Sequence, residues 1–197
     1  MTMKRRKLKP LLTCIALTAL LISIFAAVPV SAQGFDDTYV DDDADHSDTD
    51  GDEDFATIQA AIDNTNSGGK VHVSPGTYPE KLTIDKSLVL EGLEGTYPVI
   101  NPILSGTGRD SIVSPEADDI TIRGFEVTNG NQSAVTDSVE RHGIWKRGEF
   151  GVGPSGLTVE DCVIHHIQHG VRSYGDDLTV KDCEMHHLKY SGVEASG

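Results

Sequence analysis

Two stretches of the chain repeat an unusual set of reactive residue types. "LTVEDCVIHHIQHG" starts at Leu157, and "LTVKDCEMHHLKYSG" starts 21 residues later at Leu178. Each holds a cysteine and two adjacent histidines: Cys162 with His165 and His166, then Cys183 with His186 and His187. Neutral imidazoles one strand spacing apart can share Cu2+ or Zn2+. The same residues also suit a polar ladder that binds nothing. No carboxylate or thiolate completes a conventional ligand set, because both cysteines fall on the apolar frame and point inward. Free thiols are the expected state, since parallel side chains on adjacent strands aim poorly at each other; their spacing would still allow a disulfide.

A second chemical cluster lies in residues 133–154, which interrupt the repeat. Arg141, His142, Trp145, Lys146, Arg147 and Glu149 form an aromatic platform flanked by cations, the residue types that grip sugars. The alternative is a glycine-bounded surface loop whose Trp145 packs onto the body of the fold. Asn131-Gln132-Ser133 is an N-glycosylation sequon just before it, which makes Asn131 a candidate attachment site. Asp176-Asp177 is an acid pair, but the matching Asp118-Asp119 in "ADDITI" shows it to be a feature of the repeat turn.

These residues need a scaffold, and the spacing supplies one. "DEDFATIQAAIDNTNSGG" predicts a short amphipathic helix capped by Asp54, with Phe55, Ile58, Ala61 and Ile62 on one face and Gly68-Gly69 at its end. From Lys70 the period becomes two, in short pieces broken by Gly, Pro or Asp. "DDITIRGFEVTNG" fits the frame of the two histidine-bearing phrases, and its return is delayed to 37 residues by the insertion. "KSLVLEG" marks a still earlier turn. Short strands recurring near every 20 residues mean a solenoid whose coils bury little alone and must stack. β-Branched or Cys residues at the apolar positions argue against a leucine-rich horseshoe. The expectation is an all-β parallel β-helix of about five coils, spanning on the order of 24 Å. Thr158 and Thr179 should then stack outward, and Glu160 should pair with Lys181.

The ends and the charge frame the setting. The first nine residues hold Lys4, Arg5, Arg6, Lys7 and Lys9 and no acid, and an apolar run from Leu11 to Val30 leads into "VPVSAQG". Residues 1–32 therefore read as a secretory signal cleaved after Ala32, or as a membrane anchor if left uncleaved. The net charge is −15, and the part beyond the signal is more acidic still. Such a surface is not expected to seek nucleic acid. Residues 33–54 form an acidic linker or lead-in strand, within which "TYVDDD" can start the sheet. Asp48, Asp50 and Gly51 fit part of a Ca2+ loop, but His46 stands at its first ligand position and no Glu closes it. Residues 55–197 are the β-helix, and its last coil is expected to continue past Gly197.

"DFATIQAAIDNTNSGGKVHVSPGTYPEKLTIDKSLVLEG" resembles the cap and first coils of the right-handed, pectin-lyase-like β-helix superfamily. "TYVDDDAD" before it is similar to the lead-in of archaeal surface β-helix proteins, remotely related to the copper-accessory protein of nitrous oxide reductase. The resemblance implies a right-handed coil but no one activity, because this scaffold serves lyases, hydrolases, esterases and non-enzymes. The esterase "QDTL", the lyase "WIDH" and the hydrolase carboxylate set are absent. The leading expectation is an exported, surface-associated β-helix that binds a polysaccharide or cell-wall glycan. The alternatives are a polysaccharide lyase or hydrolase whose active coils are missing or unrecognised, and a copper accessory protein.

Overall fold

The computed structural model describes residues 34–41, 54–104, 108–129, 140–148 and 154–195. The signal segment, the partial Ca2+ loop, Asn131 and Glu149 lie outside them. No helix among the described residues is long and apolar enough to cross a membrane.

Alternating short runs produce strands that pair in parallel into three sheets. Five coils each contribute one strand per sheet. The first contains β3 (Thr65–Val73), β4 (Thr77–Tyr78) and β5 (Leu82–Ile84), and the second β6 (Leu88–Gly92), β7 (Val99–Ile100) and β8 (Asp110–Pro115). The third contains β9 (Ile120–Arg123), β10 (Glu126–Thr128) and β11 (Arg141–Lys146). The fourth contains β12 (Leu157–Glu160), β13 (Val163–His165) and β14 (His169–Ser173). The fifth contains β15 (Leu178–Lys181), β16 (Glu184–His186) and β17 (Val193–Ala195). This is the parallel β-helix expected from the repeat.

Stacking places like on like. Val71, Leu90, Ile122, Val159 and Val180 are successive partners in the first sheet. Tyr78, Ile100, Val127, Ile164 and Met185 do the same in the second, and Leu82, Val113, Ile144, Val171 and Val193 in the third. Through the fourth coil these inward columns form the core, and burying each aliphatic side chain there contributes about 1.5–3 kcal/mol. In the fifth, Val180 and Met185 are half-buried and Val193 is exposed. Outward, Thr121, Thr158 and Thr179 are in register. Glu91, Arg123, Glu160 and Lys181 alternate in sign up the same sheet, with Arg123 bridging Glu91 and Glu160. Lys181 and then Arg123 hold the Glu160 carboxyl below its ordinary range.

The corners explain much of the repeated phrase. Gly124, Asp161 and Asp182 turn the chain from the first sheet to the second, all with positive φ (74°, 50° and 53°). Asp119, Gly156 and Asp177 do so from the third sheet to the first, and His166 and His187 (54° and 52°) just after the second. Gly, Asn, Asp and His are the residues that tolerate this left-handed region. The second histidine of each pair is thus a corner residue, whatever else it does. Cys162 and Cys183 are free thiols, Cys162 buried and Cys183 half-buried. Cys162 Sγ donates to Glu160 O and Cys183 Sγ to Lys181 O, both at 3.2 Å. The neighbouring thiol and then burial push Cys162 up, while Cys162 draws Cys183 down to about 7.

The cap differs from the expectation. The helix α1 is Ile58–Asn64, capped by Thr57, whose hydroxyl accepts from Ala60 N at 3.2 Å. Asp54–Phe55 is instead β2, a short strand beside β1 (Phe35–Val40). Glu80 explains where the helix starts, since its carboxylate accepts from Ile58 N at 2.8 Å and Gln59 N at 3.0 Å. The helix ends at Thr65, not at the glycines. There the chain joins the first sheet as β3, with Thr65 against Thr38 at 2.8 Å, and Gly68-Gly69 lie inside that strand.

Candidate functional site

The cationic and aromatic residues of the insertion do not form an exposed loop. Arg141, His142, Trp145 and Lys146 belong to β11 of the third sheet, all buried, with Trp145 only 6% exposed. Pairing of β11 with β8 and β14 is what draws them in. Arg147 lies beyond the strand and covers the indole, its guanidinium carbon 4.5 Å from the ring centroid. The aromatic platform expected at Trp145 is therefore covered. Lys146 occupies the column position of Ser173 and donates to Ser155 O at 2.7 Å; burial lowers its pKa while Asp118 and Asp119 raise it.

His142 stacks on His169 at 4.7 Å and packs, tilted by 35°, against Trp145 at 4.4 Å. Neither of its ring nitrogens has a hydrogen-bond partner. Burial, followed by the positive groups His169, Arg172, Arg109 and Arg147, pushes its pKa down from 6.5 to about 3. The unfolded chain therefore takes up this proton first as pH falls. The His142 contribution to stability is expected in full above about pH 6.5 and to shrink as pH drops towards about 3. In His142→Gln this share of the acid sensitivity should vanish, read from urea midpoints at about pH 7 and about pH 4.5. Equal pH slopes in the two proteins would contradict it.

The paired histidines do form a ladder. His165 stacks on His186 at 4.8 Å (12° between planes), and His166 on His187 at 4.7 Å (6°). Within each rung the two Nδ1 atoms face one another, at 2.5 Å for His165–His166 and 2.6 Å for His186–His187. Glu126 Oε1 lies 2.9 Å from His165 Nε2, and Thr128 Oγ1 3.4 Å from its Nδ1. Among the described residues, no group of three or more His, Cys, Asp or Glu stands ready to hold a metal ion.

A recess that the sequence reading missed lies at the corner between the first and second sheets. Later coils cross this corner in two residues, 124–125 or 161–162, whereas the second coil uses 93–98. The extra chain folds over a glycine floor. Gly92, Leu93, Glu94, Gly95, Thr96, Tyr97, Gly124 and Asp161 line a recess of about 400 Å3. Tyr97 (37% exposed) and Leu93 (38%) leave apolar surface open to solvent. The Tyr97 hydroxyl donates to Asp161 Oδ1 at 2.6 Å, a bond that raises the phenol's pKa. An exposed ring beside carboxylates and a flat floor can stack a pyranose face while accepting its hydroxyl hydrogens. The available signal was "GLEGTYP", glycine-punctuated and longer than the equivalent turns.

No protein-family model matches the chain, and no curated protein sequence matches it. Among solved structures it is similar to the pectin methylesterase of Erwinia chrysanthemi, at 19% identity and a TM-score of 0.44, over 72% of this chain and 54% of that one. A pectin methylesterase in complex with a hexasaccharide matches at 16% identity and 0.44, over 81% and 66%. The Aspergillus niger pectin methylesterase matches at 20% and 0.44, over 80% and 57%. The chain thus spans 54–66% of the length of these structures. The finer resemblance to archaeal and copper-accessory proteins has no counterpart among these three, and the β-helix itself rests on the strand registers.

Proposed function

We propose that this chain is an exported, surface-associated β-helix that binds a neutral polysaccharide in the recess at Tyr97. The observation that carries the reading is an exposed aromatic ring, hydrogen-bonded to a carboxylate, at the edge of a glycine-floored recess. Glu94, Asp161 and the net charge of −15 disfavour an acidic glycan. A pyranose stacked on Tyr97 would find Glu94 and Asp161 as acceptors for its hydroxyls, and no metal is required.

The test is retention of the full chain on insoluble neutral and acidic polysaccharides, with Tyr97→Ala alongside. Retention on a neutral polymer, weakened tenfold or more by Tyr97→Ala at unchanged melting temperature, is the expected result. Equal retention of the variant would remove the recess from the reading. Soluble sugar fragments would replace a binding protein by an enzyme: fragments one water lighter than hydrolysis products indicate a lyase, full-mass fragments a hydrolase.

A further inference from the structure

We infer that His165 and His166 form a two-nitrogen chelate for Cu2+ at the corner after the second sheet. This corner is not the one that holds the Tyr97 recess, and the inference does not depend on the glycan reading.

Three observations converge. The first is the facing pair of Nδ1 atoms, 2.5 Å apart, of which only one can carry a hydrogen. Metal–imidazole bonds of about 2.0–2.1 Å reach two nitrogens so spaced from one point, as adjacent ligands of a single ion. The second is Glu126. Its carboxylate, 2.9 Å from His165 Nε2, takes the ring N–H there and leaves the lone pair on Nδ1, facing His166. A carboxylate behind a histidine is the usual device that orients a metal-binding imidazole and strengthens it as a donor. The third is the backbone. Positive φ at His166 holds the second ring beside the first without relying on a flexible loop.

The surroundings fit an ion with open positions. His165 and His166 are both partly exposed, so water can fill the remaining sites. Register places Asn129 one coil earlier beneath His166, and it is fully buried with neither amide atom hydrogen-bonded. The rung of His186 and His187 lies 4.7–4.8 Å above by ring centroid, too far to share the ion without tilting. The unit is therefore a chelating pair. Two imidazoles with water suit tetragonal Cu2+, the strongest binder of the divalent series, better than Zn2+, which favours three or four protein ligands.

The test titrates the full chain with Cu2+ alone in a non-coordinating buffer, followed by calorimetry and by electron paramagnetic resonance. One tight ion per chain with imidazole nitrogen hyperfine structure is expected. His166→Asn keeps a residue suited to the left-handed corner, so it should fold as wild type while losing tenfold or more in affinity. Glu126→Gln should weaken binding about 10–100-fold. Wild-type affinity in His166→Asn with an unchanged melting temperature would overturn the proposal. So would the absence of nitrogen hyperfine structure, or tighter binding of Zn2+ than of Cu2+.

Discussion

Phe125→Ala is expected to destabilise the protein by about 3–5 kcal/mol, the range for emptying a fully buried aromatic site. Phe125 is 0% exposed and sits in the two-residue link between β9 and β10. The stacked links put Cys162 at the same position one coil later, where Val163 N donates to Phe125 O at 2.8 Å. Collapse around the missing ring is resisted from both sides. The neighbouring coils are held in register by their own ladders, and cysteine is too small to fill the space. Urea unfolding checks the effect, with Phe125→Leu as a milder companion expected to lose about 1 kcal/mol. A loss below about 1 kcal/mol in Phe125→Ala would mean that the column is not packed at this level.

Gly92→Ala should act through backbone rather than through a cavity. A Cβ there would stand 2.1 Å from Gly124 O and 2.8 Å from Pro98 Cδ. Carbonyl and proline ring are both fixed by the parallel pairing of β6 with β9 and by the turn that follows β6. The cost expected is about 1–3 kcal/mol or more, with loss of glycan retention because Gly92 floors the recess. Gly124→Ala provides the contrast. Its Cβ would come no nearer than 3.3 Å to Gly92 O, so its penalty comes chiefly from φ of +74° and should be about 1 kcal/mol. Equal stabilities of the two variants, from thermal melts, would show that close approach does not decide the site.

In a solenoid the residue above position i is the one a repeat later, so stacking can be read along the chain. That is why Leu157 on Leu178, Thr158 on Thr179 and the Glu160–Lys181 pair were legible in the sequence. The inward cysteines and the histidine stacks were legible for the same reason. The insertion offered a single echo of the frame, "HGI" at His142 against "HGV" at His169, and these residues do pair. Periodicity could not tell that Trp145 and Lys146 enter a strand, because that depends on pairing with β8 and β14 on both sides.

The sequence by itself determined the parallel β-helix, its inward columns and its corners, because these follow from a period of two inside a repeat of about 20 residues. Only the tertiary structure decided three further things. It ended the helix at Thr65, where the first sheet captures the chain against Thr38. It buried the expected sugar platform within β11. It also made a recess from Tyr97 and Asp161, 64 residues apart, whose meeting depends on how one lengthened turn folds across two later coils. Contacts one repeat apart are set by local pattern, whereas contacts made by insertions depend on the shape of the coils already stacked beneath them.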